Sequence, residues 1–218
     1  KLNFIRSNVV QSISRRGPDY SDLFIDQSKK SILIHTRLSI RDLSSAGNQP
    51  MQSASGRYII VFNGEIYNSD KLKSYDSLLD YPWIGNSDTE VLLALIDSIG
   101  LEKTIKKIEG MFAFALWDNK KDLITLFRDR FGEKPLYWGN ISNGELEGFM
   151  FSSDISSFVN LSDKLNISDL AKRQYYEYGC VLSPNTIFDN IYQLQPGYKL
   201  TIPNVFVDSI HKNINSSE

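Results

Sequence analysis

Two apolar runs, Met111 to Asp118 (MFAFALWD) and Asp122 to Asp129 (DLITLFRD), meet across Asp118-Asn119-Lys120-Lys121. A connection this short leaves little choice but an antiparallel hairpin. Four further runs, Ser31 to Arg37 (SILIHTR), Arg57 to Asn63 (RYIIVFN), Lys134 to Trp138 and Phe149 to Ser152, are equally short, β-branched or aromatic, and bounded by turn residues. Helical periodicity is confined to a few places. Ile5, Val9, Val10 and Ile13 predict an opening amphipathic helix that stops before Gly17-Pro18. Ser87 as N-cap and Glu90 at the capping-box position precede Val91, Leu92, Leu95, Ile96 and Ile99, with Gly100 as the stop. Shorter helices are expected over Ile155 to Val159 and from Ser168 toward Tyr178, the latter closed by Gly179. Helices gathered between runs of hairpin-forming strands predict a layered α+β fold, not alternating βαβ units.

The chain has 218 residues, 41% of them hydrophobic, which is enough to bury a core without a disulfide or metal staple. One cysteine excludes a disulfide framework in any case. The formal charge of −2 offers no basic excess for nucleic acid or anionic membrane. No apolar run approaches the roughly 18 residues of a membrane span, and no signal-peptide core is present. The cytoplasm is the expected location. Residues 1–203 read as one domain, and 204–218, ending in NINSSE, as a polar tail or connector.

No GxxxxGK[ST], HExxH, CxxC or GxSxG occurs, and the two histidines, His35 and His211, lie far apart. What stands out is a series of polar clusters at strand ends. They are Arg16-Gly17-Pro18-Asp19, Arg37-Leu38-Ser39-Ile40, Asn63-Gly64-Glu65-Ile66-Tyr67-Asn68, Ser87-Asp88-Thr89-Glu90, and the run from Arg128 to Tyr137 (RDRFGEKPLY). Each has a plain reading when taken alone. Asn63-Gly64 after a strand reads as a type I′ turn, Ser87 to Glu90 as a capping box, and Arg16 and Asp19 as a turn lock. His35, inside an apolar strand, reads as a satisfied core histidine, and Cys180 as a small buried hydrophobe.

In this order, with Gln49-Pro50-Met51 between the second and third clusters, the series resembles the class II glutamine amidotransferase domain of glutamine-dependent asparagine synthetases. The match runs from Arg16 to Tyr137, with weaker agreement at Phe151 to Ile155 and Gln195 to Tyr198. It implies an N-terminal-nucleophile hydrolase fold, a four-layer αββα sandwich of two antiparallel sheets. It also implies hydrolysis of glutamine to glutamate, with the ammonia passed to a C-terminal domain that amidates aspartate. ATP and Mg²⁺ are expected in that synthetase domain, and no cofactor or metal in this one. The implied partners are glutamine and the synthetase domain, in cis or as a separate subunit, and a homodimer is compatible with the family. Other class II amidotransferases, with an HNG loop in place of FNGEIYN, resemble the chain less.

Free glutamine needs a cation for its carboxylate, an anion for its ammonium and donors for the developing oxyanion. Arg37 is the candidate for the first, because its fork matches a carboxylate bidentately. Asp88, at a helix start, is the candidate for the second. The Asn63 side-chain N–H and the Gly64 backbone N–H are the candidate oxyanion hole. Glu65 is expected to assist in binding or in orienting that loop. The resemblance adds Leu38, Ser39, Ile40 and Arg41 to the pocket, although Arg41 replaces an aliphatic residue and is expected to face the surface or loop. Arg15 likewise stands where the family has His.

In the family the nucleophile is an N-terminal cysteine whose own α-amine is the base. This sequence starts with Lys1, and Cys180 is internal. The residues before Arg15 suffice for the first helix but not for the strand that carries the cysteine. The expectation is therefore a fold lacking its first strand and inert as given. The alternative is a glutaminase-inactive structural or docking domain, as in β-lactam-synthetase-like proteins.

Overall fold

The computed structural model describes residues 2–26, 31–144 and 146–203, so the expected connector at 204–218, with His211, lies outside it. Helix α1 (Leu2–Ile13) and a 3-10 turn lead into β1 (Tyr20–Ile25) and β2 (Ile32–Arg37). Next come β3 (Met51–Gln52), β4 (Tyr58–Ile66), α2 (Ser69–Lys73), α3 (Asp88–Ile99) and α4 (Leu101–Ile105). The hairpins β5 (Gly110–Asp118) with β6 (Leu123–Arg128), and β7 (Tyr137–Asn143) with β8 (Leu146–Ser152), follow. Helices α5 (Ser156–Leu161) and α6 (Asp169–Tyr178) and strands β9 (Ile191–Gln193) and β10 (Lys199–Pro203) complete the described chain. Strands β1, β3, β9 and β10 had no separate sequence signal, because each is short or polar and is held by a neighbour.

All strand pairs are antiparallel, and the central sheet runs β10-β6-β5-β4-β3. One face of it, carrying Ile60, Phe62, Phe112, Phe114 and Phe127, packs against Val91, Leu92, Leu95 and Ile96 of α3. Its other face, with Val61, Ala113 and Ala115, meets Trp138, Phe149 and Phe151 of a second sheet layer. Beyond that layer, Val9 of α1 and Phe158 and Leu161 of α5 cover Ile141 and Met150. The order is helix, sheet, sheet, helix. Alternation along β4 and β5 between two apolar faces is what makes the central sheet the middle of the sandwich.

The DNKK connection is a hairpin as expected. The Asp118 carboxylate accepts from the Lys120 and Lys121 backbone N–H groups at 3.1 and 3.2 Å and from Arg57 bidentately at 3.0 and 2.7 Å. Asn63-Gly64 departs from its local reading. Asn63 pairs with Ala113 and Gly64 with Phe112, so β4 continues through the dipeptide without turning. A Cβ on Gly64 would lie 2.1 Å from the Met111 carbonyl oxygen, and one on Gly110 would lie 2.1 Å from that of Glu65. The two glycines allow the ladder to hold where the backbones approach most closely.

The second layer is split. Strands β1-β2 form one piece and β8-β7-β9 another, with no ladder between them. Residues of β2 and β8 face each other across a cavity of about 370 Å³, floored by Val61, Ala113 and Ala115 and roofed by Ile5, Val9 and Ile13. Among the described residues, no helix is long and apolar enough to cross a membrane.

Replacing Gly110 by Ala is expected to cost about 2–4 kcal/mol, since both φ (+157°) and the Glu65 backbone oppose a Cβ. The same change at Gly179 (φ +73°, with open space around it) is expected to cost only about 1 kcal/mol. Urea unfolding of the two variants checks the difference.

Candidate functional site

The site is organised by the edge of β4 that faces away from β5. Arg57 and Tyr67, at odd positions flanking the ladder, exchange backbone bonds with Asn119 and Glu109, so odd residues of β4 bond to β5. Even residues therefore turn their N–H and C=O outward. Strand β3 satisfies this edge only as far as Ile60, because it is two residues long. Side chains take over beyond it. The Phe62 N–H donates to Gln49 Oε1 at 2.6 Å. The Ile66 N–H donates to Asp88 Oδ2 at 2.8 Å. Gly64 lies between these two positions, and the alternation directs its N–H onto the same edge.

Asn63 and Gly64, the expected oxyanion pair, are thus adjacent and differently aimed. Asn63 turns its side chain toward the split layer, where Nδ2 is buried without a hydrogen-bond partner. An unpartnered buried donor is costly, by about 1–3 kcal/mol, and its presence marks a place where a polar group belongs.

Asp88 sits at the start of α3, one residue past Ser87, whose Oγ accepts from the Glu90 N–H at 3.1 Å. Only half of the expected capping box forms. The Glu90 carboxylate turns instead to the Ile84 and Gly85 N–H groups at 2.8 and 2.9 Å, fixing the loop ahead of the helix. Burial pushes the Asp88 carboxyl above the usual range, opposed by the Ile66 N–H and by the charge of Arg41. The helix dipole alone does not set its ionisation.

Arg41 is exposed, as expected of a surface or loop-facing side chain, and it has specific partners there. It is folded back over the end of β4, donating to the Ile66 carbonyl at 3.1 Å and to Ser69 Oγ at 2.9 Å. Glu65 lies 3.9 Å from its guanidinium and Asp70 4.0 Å. Asp88 also feels its charge, and an aliphatic side chain would have none of these partners.

Arg37 is buried at the end of β2 and serves the loop that follows it. Its Nη1 donates to the Ser44 carbonyl and to Asn48 Oδ1, both at 2.7 Å, and its Nη2 donates to the Asp42 carbonyl. The loop is also tied from outside, by Asp19 Oδ2 accepting from the Ser39 N–H at 2.7 Å. The Asp42 carboxylate accepts from the Ser44 hydroxyl and N–H and from the Asn86 N–H, which holds its pKa below the ordinary value. Leu38 and Ile40 on this loop are exposed, and Ser39 is half-buried. The structure thus gathers Asn63, Gly64, Glu65, Asp88 and Arg41 at the end of β4, and places Leu38, Ser39 and Ile40 on a loop braced from within by Arg37.

Arg16 and Asp19 do more than lock a turn. Arg16 donates to the Ser153 carbonyl at 3.2 Å, so the first cluster reaches both the loop and the end of β8. His35 is not the satisfied core histidine expected, since Nδ1 is buried without a partner. Cys180 is exposed, because the left-handed Gly179 turns the chain off the end of α6 and away from the core. Gln49 was missed as a site residue, although it stood in the quoted motif. Its role requires β3 to be short, which the sequence does not state. Among the described residues, no group of three or more His, Cys, Asp or Glu side chains could hold a metal ion.

The sandwich and the equipped edge of β4 define an amidotransferase-type N-terminal-nucleophile hydrolase fold, and comparison with known proteins agrees. A family model described as a glutamine amidotransferase domain matches residues 3–209. A putative glutamine-hydrolysing asparagine synthetase of Methanocaldococcus jannaschii is 36% identical over 85% of the chain. Asparagine synthetase 1 of Bacillus subtilis is 34% identical over 88%. The chain spans 38% and 29% of those two proteins. The solved glutamine phosphoribosylpyrophosphate amidotransferase of B. subtilis superposes with a TM-score of 0.63 over 91% of the chain and 44% of its own, at 16% identity. The chain belongs to the glutamine amidotransferase domain family, in the form carried by asparagine synthetases.

Asp88→Asn tests the electrostatics of the site. Asp88 has its folded pKa raised, so its charge costs stability increasingly as pH rises past the unfolded value near 4. The amide oxygen can still accept from Ile66. The variant is expected to melt at or above the wild-type temperature at pH 7 and to lose that advantage near pH 3, by calorimetry at the two pH values.

Proposed function

We propose that this domain hydrolyses glutamine to glutamate and ammonia, and that the ammonia serves an ATP-dependent synthetase domain that amidates aspartate. The observation that carries the reading is the unpartnered Asn63 Nδ2 beside the outward-facing edge of Gly64. Two N–H donors on one rigid strand suit the oxyanion of a tetrahedral intermediate, because they need no reorganisation when charge develops. Asp88, whose carboxylate is on the same edge about two residues away, is assigned to the substrate ammonium; a rise of ~3.4 Å per residue puts it roughly 7 Å along the strand from Gly64.

Arg37 is assigned to the α-carboxylate. Three of its five N–H donors hold the loop, which leaves two for a ligand and a guanidinium already fixed in direction. Glu65 and Arg41 balance one another at the mouth, and Leu38, Ser39 and Ile40 supply the pocket wall. Arg41 also opposes the burial that would neutralise Asp88, so that the ammonium meets a carboxylate. ATP and Mg²⁺ belong to the synthetase domain in this reading, and no step here passes through them.

The nucleophile is assigned to an extended segment lying between β2 and β8. Their facing edges and the cavity between them suit one strand, and a residue at its end would lie near Asn63. In this reading the segment begins with a cysteine, whose thiol attacks the glutamine amide carbon while its α-amine takes the proton and returns it to the departing ammonia. Water then releases glutamate from the thioester.

The second reading, a docking domain without glutaminase activity, is favoured if the full-length protein has no N-terminal cysteine. The test is a glutaminase assay on the full-length protein. Glutamate release is expected, and Asn63→Ala is expected to lower kcat by about 10²–10³-fold with a smaller change in KM. A cysteine-bearing protein that binds glutamine without hydrolysing it would overturn the reading.

A further inference from the structure

Arg37 closes β2 and Asp88 opens α3, so neither element fixes the distance between the two. An α-amino acid carries its carboxylate and its ammonium on the same carbon. A cation and an anion that grip both at once must therefore be held at one separation, and the site favours that headgroup only to the extent that the separation is set before the ligand arrives. Asp88 is tied to β4 through the Ile66 N–H at 2.8 Å. Arg37 is tied to the loop that follows β2. The two systems meet at Asp42.

Asp42 is buried on that loop and bonds to both sides. Its backbone carbonyl accepts from Arg37 Nη2. Its carboxylate Oδ1 accepts from the Ser44 hydroxyl and N–H at 2.7 and 2.8 Å, and the Ser44 carbonyl accepts in turn from Arg37 Nη1 at 2.7 Å. The other carboxylate oxygen, Oδ2, accepts from the Asn86 N–H at 2.7 Å, two residues ahead of Asp88. Packing leaves no slack on this side, because a Cβ on Gly85 would lie 2.6 Å from Oδ2 and 2.8 Å from the Ala46 Cβ. Other ties of the loop run elsewhere, from Asp19 to Ser39 and from Arg41 to Ile66 and Ser69. A longer bond, 3.3 Å from Gln49 Nε2 to Thr89 Oγ1, joins the far end of the loop to the same helix.

We propose that Asp42 is a positioning residue that sets the separation of Arg37 and Asp88, and that it thereby makes the site specific for a ligand whose carboxylate and ammonium share one carbon. A carboxylate suits the task because its two oxygens accept from opposite sides at once, whereas an amide has one acceptor oxygen and turns an N–H group toward a donor. The inference rests on the assignment of Arg37 and Asp88 to the two ends of glutamine, and its test does not depend on hydrolysis.

The full-length protein is titrated with three unreactive compounds by ligand-observed NMR, which reads weak affinities. L-Glutamate carries both groups, glutarate lacks the ammonium, and 4-aminobutanoate lacks the α-carboxylate. Wild type is expected to bind L-glutamate most tightly. Asp42→Asn is expected to weaken L-glutamate roughly tenfold and to change the other two by no more than about threefold, since a compound gripped at one end does not sense the separation. Gly85→Ala keeps every donor and acceptor of the bridge and displaces it by crowding, so the same pattern is expected in weaker form. Variants that weaken all three compounds by one common factor, or none of them, overturn the positioning role. A wild-type protein that binds L-glutamate no more tightly than the other two overturns it as well. The full pattern in a protein that releases no glutamate from glutamine overturns the glutaminase reading alone.

Discussion

The hydrogen-bond alternation of β4 is the constraint on which the site depends. Because its odd residues are committed to β5 along a nine-pair register, its even residues must find partners on the other side. The chain meets that demand with side chains drawn from separate segments. Gln49 serves Phe62, and Asp88 serves Ile66. Each is placed by an obligation of the backbone, and each thereby comes within reach of Gly64. The geometry of the site is in this sense a by-product of completing one strand edge.

Two buried guanidinium groups illustrate how the loops are made rigid without a further layer of structure. Arg128 donates to the Lys134, Leu194 and Gly132 carbonyls at 2.7, 2.6 and 2.5 Å, and burial lowers its pKa. The neighbouring Asp129 is fully buried and accepts from the Phe131, Glu133 and Lys134 N–H groups at 2.9, 3.1 and 3.2 Å. Arg37 does the same for the loop after β2. Taking such charges out of water costs several kcal/mol each, which the three hydrogen bonds made by each guanidinium offset in part. A side chain with fewer donors would leave carbonyls unpaired and the loop loose.

The split second layer joins stability to function. A sheet edge normally needs blunting against other chains, yet β2 and β8 face inward across a cavity roofed by α1 and floored by small residues. Ala113 and Ala115 keep the floor low where bulkier side chains would fill the space. Two of the residues lining it, His35 and Asn63, carry buried side-chain nitrogens without a hydrogen-bond partner.

The order of motifs was legible in the sequence because it needed no tertiary knowledge. Strand-forming runs, the Ser87 cap and the cluster from Arg37 to Arg128 identified a glutamine amidotransferase domain and its layered fold. Boundaries were less legible where pairing extends a strand through residues that prefer turns. Asn63-Gly64 reads locally as a hairpin, but β5 supplies a partner for both residues and Gly64 removes the clash that would have stopped it. Arg41 read as a surface residue and is exposed, but its partners Glu65, Asp70 and Asp88 are distant in sequence and could not be named from it. His35 read as satisfied because periodicity places a residue on a face without saying which of its nitrogens finds a partner. The sequence by itself determined the residue types and the alternation of the strands, since these follow from local sterics and apolar patterning. Which groups pair, and which are left waiting for one, was decided only when long-range contacts brought β2, β4 and α3 to a common edge.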